Sequence, residues 1–148
     1  MEWTEPPPPT SPSGTPPRQG QLTTAWRAMV VTTWVAAFVG YLAVWKASEE
    51  MGIATWWLGP RSSPQPIVIR LIPFVVTATF GILASYNVPR MPVIGLLGSL
   101  GLAAIAIPDL SRSTGLALIE FAIAGAVLLV SAASFTGTYR QPQSQHTG

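Results

Sequence analysis

Apolar residues in this chain gather in long unbroken runs rather than alternating with polar ones. The longest tract covers residues 67–108, two apolar runs separated only by Asn87-Val88-Pro89-Arg90-Met91-Pro92. From Arg70 to Arg90, and again from Arg90 to Asp109, about 18 or 19 residues pass without a charge, the length a helix needs to cross a bilayer core at about 1.5 Å per residue. A third run, residues 26–47, lies between Arg27 and Lys46 and has Trp26 and Trp45 at its ends, where interfacial aromatic rings and snorkelling cations belong. A fourth covers residues 114–135 and contains Glu120. The pattern predicts an all-α polytopic membrane protein, with four transmembrane helices at about 26–47, 67–86, 92–107 and 114–135 in a compact bundle.

Small residues recur along these runs at helical spacing. Ala36, Gly40 and Ala43 mark the first; Thr77, Gly81 and Ser85 the second; Gly95, Ser99 and Ala103 the third; Ala122 and Ala126 the fourth. Such stripes let helix backbones approach closely, and where lipid is the competing solvent this drives association. Pro73 sits within the first two turns of the second run, where a proline bends a helix without breaking it.

Outside the runs the chain changes character. Residues 1–24 carry Pro6-Pro7-Pro8-Pro9, Pro12, Pro16 and Pro17 among Ser, Thr and Gly. That composition cannot bury enough surface to offset its ordering entropy and predicts a disordered tail. Residues 137–148 read as a second polar tail, which leaves 25–136 as the membrane domain. The one long loop, residues 48–66, holds Glu49, Glu50, Trp56, Trp57 and Arg61, and its apolar middle reads as an interfacial segment anchored by tryptophan.

Composition narrows the functional classes. Of 148 residues, 9% are charged against 49% hydrophobic, where a soluble domain carries about 25% charged residues. A formal net charge of +2 gives no basic patch for nucleic acid. Cysteine is absent and the single histidine, His146, lies in the tail. Thiol chemistry, histidine-based metal or haem sites and a histidine-assisted serine nucleophile are thereby removed. No glycine-rich nucleotide fingerprint occurs, no cofactor is expected and no catalytic set is found.

Candidate chemistry reduces to two charges inside the spans. Arg70 near the start of the second and Glu120 near the start of the fourth fall at similar depths in one leaflet. A lone charge there costs about 3 kcal/mol on insertion scales, which favours either an interhelical Arg70–Glu120 ion pair or a snorkelling Arg70 with Glu120 facing the headgroups. With both termini on one side, Arg18, Arg27, Arg90 and Arg140 oppose Lys46, Arg61, Arg70 and Arg112. This tie is tipped towards cytoplasmic termini because only the second side mixes acids among its cations.

The segments Trp56-Trp57-Leu58-Gly59-Pro60-Arg61, Arg70-Leu71-Ile72-Pro73-Phe74 and Pro108-Asp109-Leu110-Ser111-Arg112 resemble small four-span integral membrane proteins of high-GC Gram-positive (actinobacterial) bacteria. The resemblance covers about residues 26–140 and implies no activity. Small multidrug transporters share the length and span count, but their first-span glutamate has no counterpart here. The expected role is a non-catalytic membrane protein acting by association, as accessory subunit or scaffold. Its partners are the lipid bilayer and either another membrane protein or further copies of itself. The alternative is a small oligomeric transporter or channel with a site around Arg70 and Glu120.

Overall fold

The computed structural model describes residues 18–139; most of the proline-rich stretch and the last nine residues, with Arg140 and His146, lie outside them. The described chain is helical. Helix α1 (Thr24–Met51) is followed by the short α2 (Ile67–Arg70), α3 (Ile72–Ser85), α4 (Met91–Ala106) and α5 (Thr114–Ala133). A 3-10 turn, Ile107–Ser111, continues α4 and another, Ser134–Gly137, continues α5.

The four longer helices close a ring: α1 packs on α3 and α5, and α4 packs on the same two. Their contact faces follow from sequence. The buried positions of α1 are Val30, Trp34, Ala37, Tyr41, Val44 and Ser48, spaced alternately by four and three, so that they form one stripe down the helix. On α5 the stripe is Leu116, Ala117, Glu120, Ala124, Val127 and Ser131, with Glu120 in the middle of an otherwise small and apolar seam. Trp34 stacks on Phe80 at 4.9 Å between ring centroids. Gly98 lets both rings approach α4: a Cβ there would stand 2.7 Å from Trp34 and 2.9 Å from Phe80. Gly95 does the same for Ser131 of α5.

The outward faces are also apolar. Val35, Val39, Val75, Leu97, Leu118 and Leu129 are all exposed, while the buried set includes Ser48, Thr55, Thr77, Ser99, Asp109, Glu120, Ser131 and Ser134. Polar groups inside and aliphatic groups outside is the distribution expected where the surroundings are hydrocarbon. Three helical stretches are long and apolar enough to cross a membrane: Thr24–Met51, Met91–Ser111 and Thr114–Gly137. This is consistent with a membrane location. The predicted second span is instead split at Leu71 into α2 and α3. Pro73 has no N–H to offer Ile69, so the helix is interrupted just before it.

Three boundaries differ from the sequence reading. Helix α1 runs to Met51, taking in Glu49 and Glu50, because both acids are held at i,i+4 spacing. Trp45 Nε1 donates to Glu49 at 2.8 Å, and Lys46 pairs with Glu50 at 3.4 Å. Gly52, at φ 68°, then ends the helix in the left-handed region and returns its N–H to Ser48 O. The tail boundaries at 24 and 137 also shift. Leu22 is buried, Thr23 N donates to Gly137 O at 2.9 Å, and Tyr139 N donates to Gln21 O at 3.0 Å. Asn87, at the α3–α4 turn, clasps the same strand-like segment: it accepts from Leu22 N at 2.9 Å and donates to Leu22 O at 3.0 Å. The start of α1, the α3–α4 turn and the end of α5 thus meet at one end of the ring.

Gly98→Val should lower thermal stability in detergent by about 1–3 kcal/mol, the usual cost of overpacking a filled core. Gly101→Ala, where a Cβ meets nothing within 4 Å, should leave the melting temperature within error or raise it. Equal effects of the two substitutions would show that α4 does not pack as described.

Candidate functional site

At the opposite end, the segment after Gly52 folds into the ring rather than lying flat on a headgroup layer. Thr55 and Trp57 are fully buried and Leu58 nearly so. A backbone bond from Gly59 N to Thr55 O at 2.9 Å closes the turn, and Gln65 N to Leu58 O at 2.9 Å ties its far side. Gly59 itself sits at φ 74°, and a Cβ there would strike the backbone of residues 63 and 65. Only glycine fits this crossing.

The turn exists to meet polar groups from below. Trp57 Nε1 donates to Glu120 Oε1 at 2.9 Å. Trp56 N donates to Asp109 Oδ1 at 2.7 Å, and Trp56 Nε1 donates to Ile105 O at 2.6 Å. Asp109 comes from the 3-10 turn after α4, where Pro108 prevents the α-helical ladder from continuing. Asp109 and Glu120 are both at 0% exposure, as is Tyr41. Their side chains face each other within hydrogen-bonding range, and Tyr41 stands within electrostatic reach of both. Arg112, exposed at the end of the same turn, acts on Asp109 through its charge.

The Arg70–Glu120 ion pair does not form. Among the described residues the one ion pair is Lys46–Glu50. The Arg70 guanidinium lies over the Trp45 ring, 4.8 Å from its centroid, and its Nε is buried without a partner. Both groups are held by indole rings instead, one by its face and one by its N–H. Cation–π contact offsets part of the desolvation of a guanidinium, and a charge-assisted N–H bond does the same for a carboxylate.

The loop residues divide among three places. Trp56 and Trp57 reach inward to the carboxyl groups. Arg61 joins Arg70, Glu49, Trp45, Leu58 and Pro64 around a cavity of about 260 Å³ that opens outward. Glu50 remains on the surface with Lys46.

The packing residues divide as well. Gly40 meets Ile123, Gly81 touches Trp34, and Gly95 meets Ser131. Ser99 is buried and Ala103 packs on the core. Ala122 and Ala126 are exposed. With Ala36, Thr32, Ile119 and Ile123 they line an outward apolar groove of about 550 Å³ between α1 and α5.

Comparison of the chain with protein-family models, with curated proteins and with solved structures finds no match in any of the three. Functional argument therefore rests on the residues themselves.

Trp57→Phe keeps the ring but removes the donor, so a buried carboxyl oxygen loses its partner. A stability loss of about 1–3 kcal/mol is expected, measured as thermal unfolding in detergent. In a double-mutant cycle, Arg70→Gln and Glu120→Gln should be additive to within about 0.5 kcal/mol. A larger coupling would restore the ion pair.

Proposed function

We propose that this protein is a four-span membrane protein that works by association, seating a transmembrane helix of a partner protein in the groove between α1 and α5. The observation that carries this reading is the composition of the groove. It is walled by Ala36, Ala37, Ala122 and Ala126, with Thr32 and Thr33 beside them. Small residues at i,i+4 on a face open to the outside serve close approach of another backbone, which acyl chains do not require. The Thr77, Gly81 and Ser85 stripe borders a smaller outward recess of about 320 Å³ between α1 and α3, floored by the Trp34 and Phe38 rings; the α1–α5 groove is the larger of the two and is walled by alanine.

The occupant is a different protein rather than a second copy. A two-fold contact would set the same concave surface against itself, and two facing grooves leave a void instead of interlocking. A single helix presenting a ridge fills one groove. Lipid covers the remaining outward faces, where Val75, Leu97, Leu118 and Leu129 project.

In this reading α2 and α3 together serve as the second span: at about 1.5 Å per residue they rise roughly 28 Å, enough for a hydrocarbon core. Both termini then share one side with the α3–α4 turn, as the clasp of Leu22 by Asn87 and the pairing with Thr138 favour. That side carries Arg18, Arg27 and Arg90, and the positive-inside tendency puts it in the cytoplasm. The transporter alternative has weaker support, because Arg70 and Glu120, its intended site, are held apart.

The test is gentle purification of the tagged full chain from its native membrane, followed by mass analysis of what remains bound. A stoichiometric membrane-protein partner, lost in Ala126→Trp with the melting temperature of the isolated protein unchanged, is the expected result. A homo-oligomer without other components, or a partner indifferent to Ala126→Trp, would sink the reading.

A further inference from the structure

Two oxygens remain unaccounted for beneath the tryptophan turn. Of the four carboxyl oxygens on Asp109 and Glu120, Asp109 Oδ1 and Glu120 Oε1 each accept an N–H. Asp109 Oδ2 and Glu120 Oε2 are buried with no donor, and the Tyr41 hydroxyl is likewise buried and unpartnered. Two carboxylates in contact, both out of water, place two acceptors and two like charges together, which neither hydrogen bonding nor electrostatics tolerates. One added proton answers both demands, since it converts one acceptor into a donor and removes one charge. The same logic holds wherever two carboxyl groups share a site. The supply of positive charge around the pair is small. Helix α4 brings no titratable group, α1 brings Tyr41, the tryptophan turn brings indole N–H groups, and the 3-10 turn brings Arg112 from the surface.

We infer that Asp109 and Glu120 form a proton-binding site that holds one proton per chain between their two free oxygens, in the buried surroundings they share with the Tyr41 hydroxyl. The shared proton does more than neutralise. The tryptophan turn is fastened to the helix ends by the Trp56–Asp109, Trp56–Ile105 and Trp57–Glu120 bonds, so two of its three fastenings land on the pair. Loss of the proton sets two negative charges against each other under that turn. The proton is thus the pin of the latch that holds residues 55–58 in the ring. This inference does not depend on the partner proposed above: none of Tyr41, Asp109 and Glu120 lines the groove.

Asp109 is the only aspartate in the chain, which gives a reporter without mutation. The experiment is infrared spectroscopy of the full-length protein in lipid nanodiscs, unlabelled and with side-chain ¹³C-aspartate, in H₂O and D₂O, from neutral to alkaline pH. The expected result at neutral pH is one protonated-carboxyl C=O band that moves in D₂O. It disappears in a single alkaline transition whose carboxyl bands shift with the aspartate label. The spectra should be the same in sodium and choline buffers, and Trp57 fluorescence should change in the same transition. In Glu120→Gln, whose amide supplies the donor permanently, the protonated band should be absent and the fluorescence flat. Absence of a protonated-carboxyl band in the neutral wild-type protein overturns the inference. So does a transition that leaves the aspartate label unmoved, or a site whose band responds to sodium in place of protons.

Discussion

The cost of keeping two carboxyl groups away from water governs one whole end of this molecule. Isolated buried carboxylates are not tolerated, and among the described residues no cation pairs with Glu120. The loop meets one oxygen of each carboxyl group, with the Trp57 indole N–H on Glu120 and the Trp56 backbone N–H on Asp109. For Trp57 to reach Glu120, the loop has to turn sharply, which is why Gly59 adopts a left-handed conformation against the backbone of residues 63 and 65. For Trp56 to reach Asp109, α4 has to end in a 3-10 turn, which Pro108 enforces. A set of features that looks like loose connection in the linear chain is one coordinated answer to a single electrostatic demand.

Most of the helical frame was legible in the sequence because hydrocarbon is a simple solvent: it rewards uninterrupted apolar length, and the chain supplies it. The starts of α1, α4 and α5 fall within two residues of expectation for that reason. The exceptions have local physical causes. The i,i+4 contacts of Glu49 and Glu50 carry α1 a turn further than an apolar count allows, and Pro73 splits the second run. The clasp around Leu22 could not be read, since Asn87 and Leu22 lie 65 residues apart.

The candidate site was legible only in part, and the reason is instructive. Glu120 stood out as an acid in an apolar run, but the search for its partner followed opposite charge and found Arg70. In the folded chain the determining contacts are an indole from 63 residues away and an acid of the same sign, Asp109, from the turn after α4. Hydropathy could not reveal Asp109 as buried, since its neighbours Leu110 and Arg112 are exposed. Tyr41 carried one faint signal, its place on the heptad-like inner stripe of α1, which puts its hydroxyl within the ring.

The two ends of the ring are closed by different means, and the difference bears on the groove between α1 and α5. At one end a backbone clasp joins the start of α1 to the end of α5 and to the α3–α4 turn. At the other the tryptophan turn, leaving directly from α1, is pinned to α5 through Trp57 and Glu120. Both helices that wall the groove are therefore fixed relative to each other at top and bottom, although between those points they meet mainly through small side chains and Gly40 against Ile123. In the proposed role, a groove whose walls are fixed in this way is a preformed seat for a partner helix, so that binding would lose little conformational entropy.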